Sequence, residues 1–209
     1  MVLESSQWFN IVSIVYHAIS FITAGAISFL GYKAYRLLKE KKYLNFSIAF
    51  LFIMLSFIVL ALTNFLVYLN LSAGAERIMG IVNTGFIAYA LLTICGFFLL
   101  LILTFRIRDI KIISILSVGI VAALAVLPFV NMFHLILLVI TLLLSYHFYK
   151  NCREKKTANA KIVFCAFAAM MLSHIFSLAS GTNEVIYVVG NTLLVTGYML
   201  LLIAILRLK

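Results

Sequence analysis

Arg77 is followed by 28 residues, 78–105, that contain no Asp, Glu, Lys or Arg. A helix needs about 20 apolar residues to cross a ~30 Å hydrocarbon core. Backbone placed there has to satisfy its own hydrogen bonds, which a helix does within a single segment. Comparable apolar runs recur near 8–32, 45–70, 78–105, 111–127, 130–149, 160–180 and 184–206. Composition agrees, since 66% of the chain is hydrophobic, 11% is charged and the mean hydropathy is +1.21. Soluble domains carry roughly a quarter charged residues. The chain is therefore expected to be all-α and polytopic, with seven transmembrane helices in one integral membrane domain spanning 1–209.

The charges set an expected orientation. Seven spans place the loops after the first, third and fifth spans on one side together with the C-terminus. That side then holds 15 of the 16 Lys and Arg residues, and only Arg77 lies opposite. By the positive-inside rule this puts the N-terminus outside and the C-terminus in the cytoplasm. The net charge of +10 is thus a matter of topology and of contact with anionic headgroups, chiefly through Lys39, Lys41, Lys42, Arg153, Lys155 and Lys156. No basic face extends beyond these loops, so no nucleic-acid partner is expected. The first apolar run is too long for the core of a cleaved secretory signal and reads as a span. Cys95, Cys152 and Cys165 have neither disulfide nor metal spacing and read as free thiols. No Asp, Glu, Lys or Arg falls near the middle of a span, which argues against a carboxylate-based proton pump.

Two charged phrases resemble each other. YRLLKEKKYLN at 35–45 is echoed by YKNCREKKTAN at 149–159, 114 positions on. The likeness continues from AFLFIMLS (49–56) to AFAAMMLS (166–173), and from GFFLLLILTFRIR (96–108) to GYMLLLIAILRLK (197–209). Three matches in one order point to an internal duplication. The expected units are repeat one at 8–108 and repeat two at 130–209, with a connector helix at 111–127. A single connecting span makes the two three-helix repeats parallel, one of the established transporter plans.

This three-plus-one-plus-three arrangement resembles, as topology, the SWEET and PQ-loop carriers and the wider transporter–opsin–receptor group. The resemblance implies a non-enzymatic bundle that binds and transports a small solute. It departs from the carriers in having no Pro-Gln pair, and the single proline, Pro128, lies outside the triplets. Val195, Thr196 and Gly197 occupy the middle of the last span, where a retinal protein of this group has its lysine. No cofactor is expected.

The remaining signal is a layer of polar residues. His17 precedes Tyr32 by 15 residues, His134 precedes Tyr149 by 15, His174 follows Asn159 by 15, and Asn191 precedes Arg207 by 16. At about 1.5 Å rise per residue these lie roughly 22–24 Å from the cytoplasmic boundary. His17, His134, His174, Asn191 and Tyr198 are therefore the expected lining of an outer-half cavity for a small polar or amphipathic ligand. The plainer reading is that such residues hold helices together, each hydrogen bond contributing about 0.6 kcal/mol and seldom above 2. A second functional reading is a sensor, receptor-like or assembly subunit that signals to a separate partner or acts as a homo-oligomer. A third is an intramembrane zinc hydrolase using His17, His134 and His174. Seven-helix hydrolases similar to the alkaline ceramidases and adiponectin receptors work in that way. The paired histidines and intramembrane aspartate of those enzymes are missing here, and no catalytic residue is assigned.

Overall fold

Apolar sequence of this length forms helix from end to end. The structure, a computed structural model, describes residues 7–70, 74–107, 109, 111, 114, 118, 129–180 and 183–207. Six helices are complete among them: α1 (Gln7–Leu38), α2 (Lys41–Leu69), α3 (Ala75–Phe105), α4 (Phe129–Lys155), α5 (Ala158–Ser180) and α6 (Glu184–Leu206). All six are long and apolar enough to cross a membrane, and the protein is a helical, multi-pass membrane protein. The expected span at 111–127 lies largely outside the described residues; Lys111, Ser114 and Val118 within it are helical.

Most helices begin or end beyond their apolar runs. α1 continues through Lys33 and Arg36, and α4 through Lys150 and Arg153. Lys and Arg are good helix formers, and their long side chains reach water while the stem stays on the apolar helix surface. Both helices then stop in the same way. Lys39 (φ 55°) and Lys156 (φ 51°) adopt the left-handed conformation just after the last helical residue. The Lys39 N–H donates to the Tyr35 carbonyl and that of Lys156 to the Cys152 carbonyl, closing each end. The following helix starts within two residues, and Thr157 Oγ1 accepts from the Ala160 N–H to cap α5.

These matching ends lie 117 positions apart, whereas the matching letters of the charged phrases lie 114 apart. By letters, Lys39 pairs with Arg153, 114 positions on; by backbone it corresponds to Lys156, 117 positions on. Burial follows the 117 register. Ser20, Thr23, Ala24, Ile27 and Ser28 are buried in α1, as are Leu137, Ile140, Thr141, Leu144 and Ser145 in α4. Ala49, Phe50, Ile53 and Ser56 are buried in α2, as are Ala166, Phe167, Met170 and Ser173 in α5.

The helices form a closed ring in chain order, each packed on its two neighbours, with α6 returning to α1. Chain neighbours joined by short turns run antiparallel. Ser28 and Ser47 show this near the α1–α2 turn, where each hydroxyl donates to the other's carbonyl, at 2.9 and 2.7 Å. α3 and α4 instead run the same way. Phe86 and Tyr89 touch Phe133 towards one end, and Phe105 touches His147 towards the other. The end of α3 and the start of α4 therefore lie at opposite ends of the bundle.

Two glycines set the closest approaches. A Cβ on Gly96 of α3 would lie 2.6 Å from Ile53 Cγ1 and 2.7 Å from the Ala49 carbonyl oxygen of α2. A Cβ on Gly197 of α6 would lie 2.6 Å from Met170 Cγ and 2.9 Å from the Ala166 carbonyl oxygen of α5. The backbones can meet only because neither position has a side chain.

Candidate functional site

Beyond these close approaches the ring centre fills with aromatic rings. Phe57 follows Ser56 on the inward face of α2, and its ring centroid lies 6.2 Å from Tyr89 of α3 and 6.3 Å from Tyr198 of α6. Tyr89 lies 5.4 Å from Phe133 of α4, which stands beside His134. His134 in turn faces His174 of α5, ring centroids 5.6 Å apart. His17 of α1 completes the series at 6.0 Å from Phe57. All six helices thus contribute a ring at this level, and offset or edge-on contacts of this kind stabilise by about 0.5–1.5 kcal/mol each beyond area burial.

The expected site residues divide among different roles. His134 and His174 come together, with their Nδ1 atoms 3.4 Å apart. That is longer than the ~2.7–3.2 Å of a good hydrogen bond, so the two imidazoles hold each other only loosely. His174 is 3% exposed, and its Nε2 is buried with no partner. A neutral imidazole has one donor and one acceptor nitrogen. Whichever tautomer His174 adopts, one of those capacities is left unmet at Nε2.

His17 does not join this pair. Its Nε2 lies 3.2 Å from Ser13 Oγ, one turn earlier on α1, and its ring packs on Phe57. Among the described residues no group of three His, Cys, Asp or Glu is placed to hold a metal ion, so the three-histidine zinc set is not assembled. Asn191 turns back on its own helix, its Nδ2 donating to the Tyr187 carbonyl at 3.1 Å. Tyr198 is 1% exposed and meets Phe57 edge-on, so it belongs to the central ring cluster. The nearby hydrogen bond from Tyr16 to Thr192, 2.7 Å between their oxygens, joins α1 to α6.

Phe57, Tyr89 and Phe133 were not legible as site residues, because an aromatic at helical spacing reads as ordinary core. One signal was present: Phe57 directly follows the AFLFIMLS match, as His174 directly follows AFAAMMLS. The headgroup set lies at helix ends and in the turns between them. Lys39, Lys41, Lys42, Arg153, Lys155 and Lys156 are all exposed. Lys42 pairs with Glu40 at 2.5 Å and lies over the Tyr43 ring, while Arg153 lies over Tyr149.

No protein-family model matches the chain, and no curated protein or solved structure is significantly similar to it.

Proposed function

We propose that this protein is a non-enzymatic, seven-helix membrane protein that binds a small polar or amphipathic solute at the His134–His174 pair and carries it across the bilayer. The observation behind this reading is His174 Nε2, a buried polar atom without a partner beside a second imidazole. An unsatisfied buried group costs about 1–3 kcal/mol, and a solute that completes the hydrogen bond removes that cost.

In this reading residues 8–108 and 130–209 are two parallel copies of a three-helix unit, joined by a crossing segment at 111–127. The shared burial register supports it, as does the parallel course of α3 and α4. The 23 residues between those helices have to return along the bundle, and a 20-residue helix covers ~30 Å. The charge distribution favours an outer N-terminus and a cytoplasmic C-terminus.

The copies differ where a carrier needs them to. Phe57 corresponds to His174, and Tyr89, which covers Phe57, corresponds to Gly190. Gly190 packs on Ser173 and Ser177 and brings no ring to His174. One copy closes its centre with two aromatics, while the other leaves a buried imidazole nitrogen without a partner.

The test is thermal stabilisation of the purified chain across a panel of amines, carboxylates, sugars and amphipathic solutes, alongside His174→Phe. A ligand at 100 times its Kd stabilises by about 2.7 kcal/mol. The expected result is a response in the wild type that His174→Phe abolishes. A panel without any response, or one that His174→Phe leaves intact, would sink the reading.

A further inference from the structure

At the end of the bundle that carries Lys39 and Lys156, a cleft of about 220 Å³ opens on α4, lined by His147, Lys150, Asn151 and Glu154. These residues recur at helical spacing and share one face. The His147 ring lies 5.2 Å from Phe105 of α3, which places the cleft at the α3–α4 seam. Arg106 follows Phe105 directly and is exposed. Among the described residues Lys150 makes no ion pair.

We infer that this cleft is a specific site for the headgroup of an anionic phospholipid. Lys150 supplies the cation, and Asn151 and His147 supply hydrogen-bond donors, all at the height where phosphates lie beside a span. Basic pockets between transmembrane helices on the cytoplasmic side take lipid headgroups in this way. On the membrane side Leu143 continues this face of α4 and is 42% exposed, and Val139 and Tyr146, 50% and 66% exposed, flank it on the adjoining side of the helix. An acyl chain has an apolar track there that a free anion does not need. The cleft is smaller than the ~300–1,000 Å³ of sites that enclose a whole ligand, so it admits a headgroup and leaves the tails outside. Glu154 lies one turn farther along α4, away from the apolar stripe, and disfavours a second negative charge. The site therefore selects a singly charged phosphodiester such as phosphatidylglycerol.

General loop charge does not account for this arrangement. At the 117-residue register the positions of His147, Lys150, Asn151 and Glu154 are Leu30, Lys33, Ala34 and Leu37 on α1. Only the lysine is common to both, so the polar cleft belongs to one seam.

The test is native mass spectrometry of the full chain in neutral detergent, titrated with phosphatidylglycerol, phosphatidylcholine or inorganic phosphate. One phosphatidylglycerol per chain is expected to be retained in preference to phosphatidylcholine. Lys150→Ala should weaken it about fivefold, the effect of one lysine near an anionic headgroup. Lys33→Ala, the matched control, should leave it unchanged. Equal weakening by Lys33→Ala would reduce the effect to bulk surface charge and overturn the site. Displacement of the lipid by inorganic phosphate at similar concentration would make it a free-anion site, and absence of a retained lipid would refute it outright.

Discussion

Ser28 of α1 and Ser145 of α4 are both buried, yet their hydroxyls have different fates. Ser28 is locked to Ser47 by reciprocal bonds, whereas Ser145 Oγ is buried without a partner. Ser47→Ala should therefore cost about 0.6 kcal/mol and less than 2, the range for such bonds between membrane helices. Ser145→Ala should be neutral or mildly stabilising, because it removes a buried polar group that nothing satisfies. Unfolding of both variants in detergent checks this difference in sign. His174 poses the same question at the ring centre. His174→Phe copies the residue found at Phe57 and should stay within about 1.5 kcal/mol of the wild type, as volume-conserving core exchanges do. Loss of a ligand response in that variant then reports on the site and not on folding.

Among the helices, stability rests on close approach at Gly96 and Gly197. Gly96→Ala and Gly197→Ala each place a methyl group against a backbone carbonyl that no rotamer change can move. Each should destabilise by about 1–3 kcal/mol, the usual cost of overpacking. Gly80→Ala is the control, since nothing lies within 4 Å of its added Cβ. It should be neutral or stabilising by up to about 1 kcal/mol through helix propensity. The helix ends allow an independent check. Lys156 holds a left-handed conformation that costs a non-glycine residue roughly 1–2 kcal/mol. Lys156→Gly should raise the melting temperature, and a fall would show that the lysine side chain makes a compensating contact. The six helices were legible in the sequence because charge-free runs of this length have no other stable form in lipid. Their ends were less so: the apolar runs stop at Tyr32 and Tyr149, but the helices continue to Leu38 and Lys155. Water-facing Lys and Arg carry helix well past the hydrocarbon.

For the whole molecule, the equal depth of His134 and His174 was legible by counting residues from the helix ends. Which histidines met was not. Counting gives height along the bundle, but the order of helices around the ring decides the neighbour, and that order brings α4 to α5 while α1 faces α2 and α6. The polar-cavity expectation also missed Phe57, Tyr89 and Phe133, because rings that fill a ring of helices carry no polar signature. The helix ends were not legible from the charged phrases for a related reason: identical letters report composition, whereas the left-handed residue marks where the helix stops. Whether the two halves run parallel is the claim on which the proposed site depends, since an antiparallel pair would not bring His134 and Phe133 to the level of Phe57 and Tyr198. Side-specific thiol labelling tests it most directly, using single cysteines at positions 40, 74, 157 and 183 in a chain with Cys95, Cys152 and Cys165 replaced by serine. Parallel halves predict that positions 40 and 157 react from one side and positions 74 and 183 from the other, and the positive-inside rule expects the first side to be cytoplasmic. Labelling of 40 and 157 from opposite sides would contradict the account.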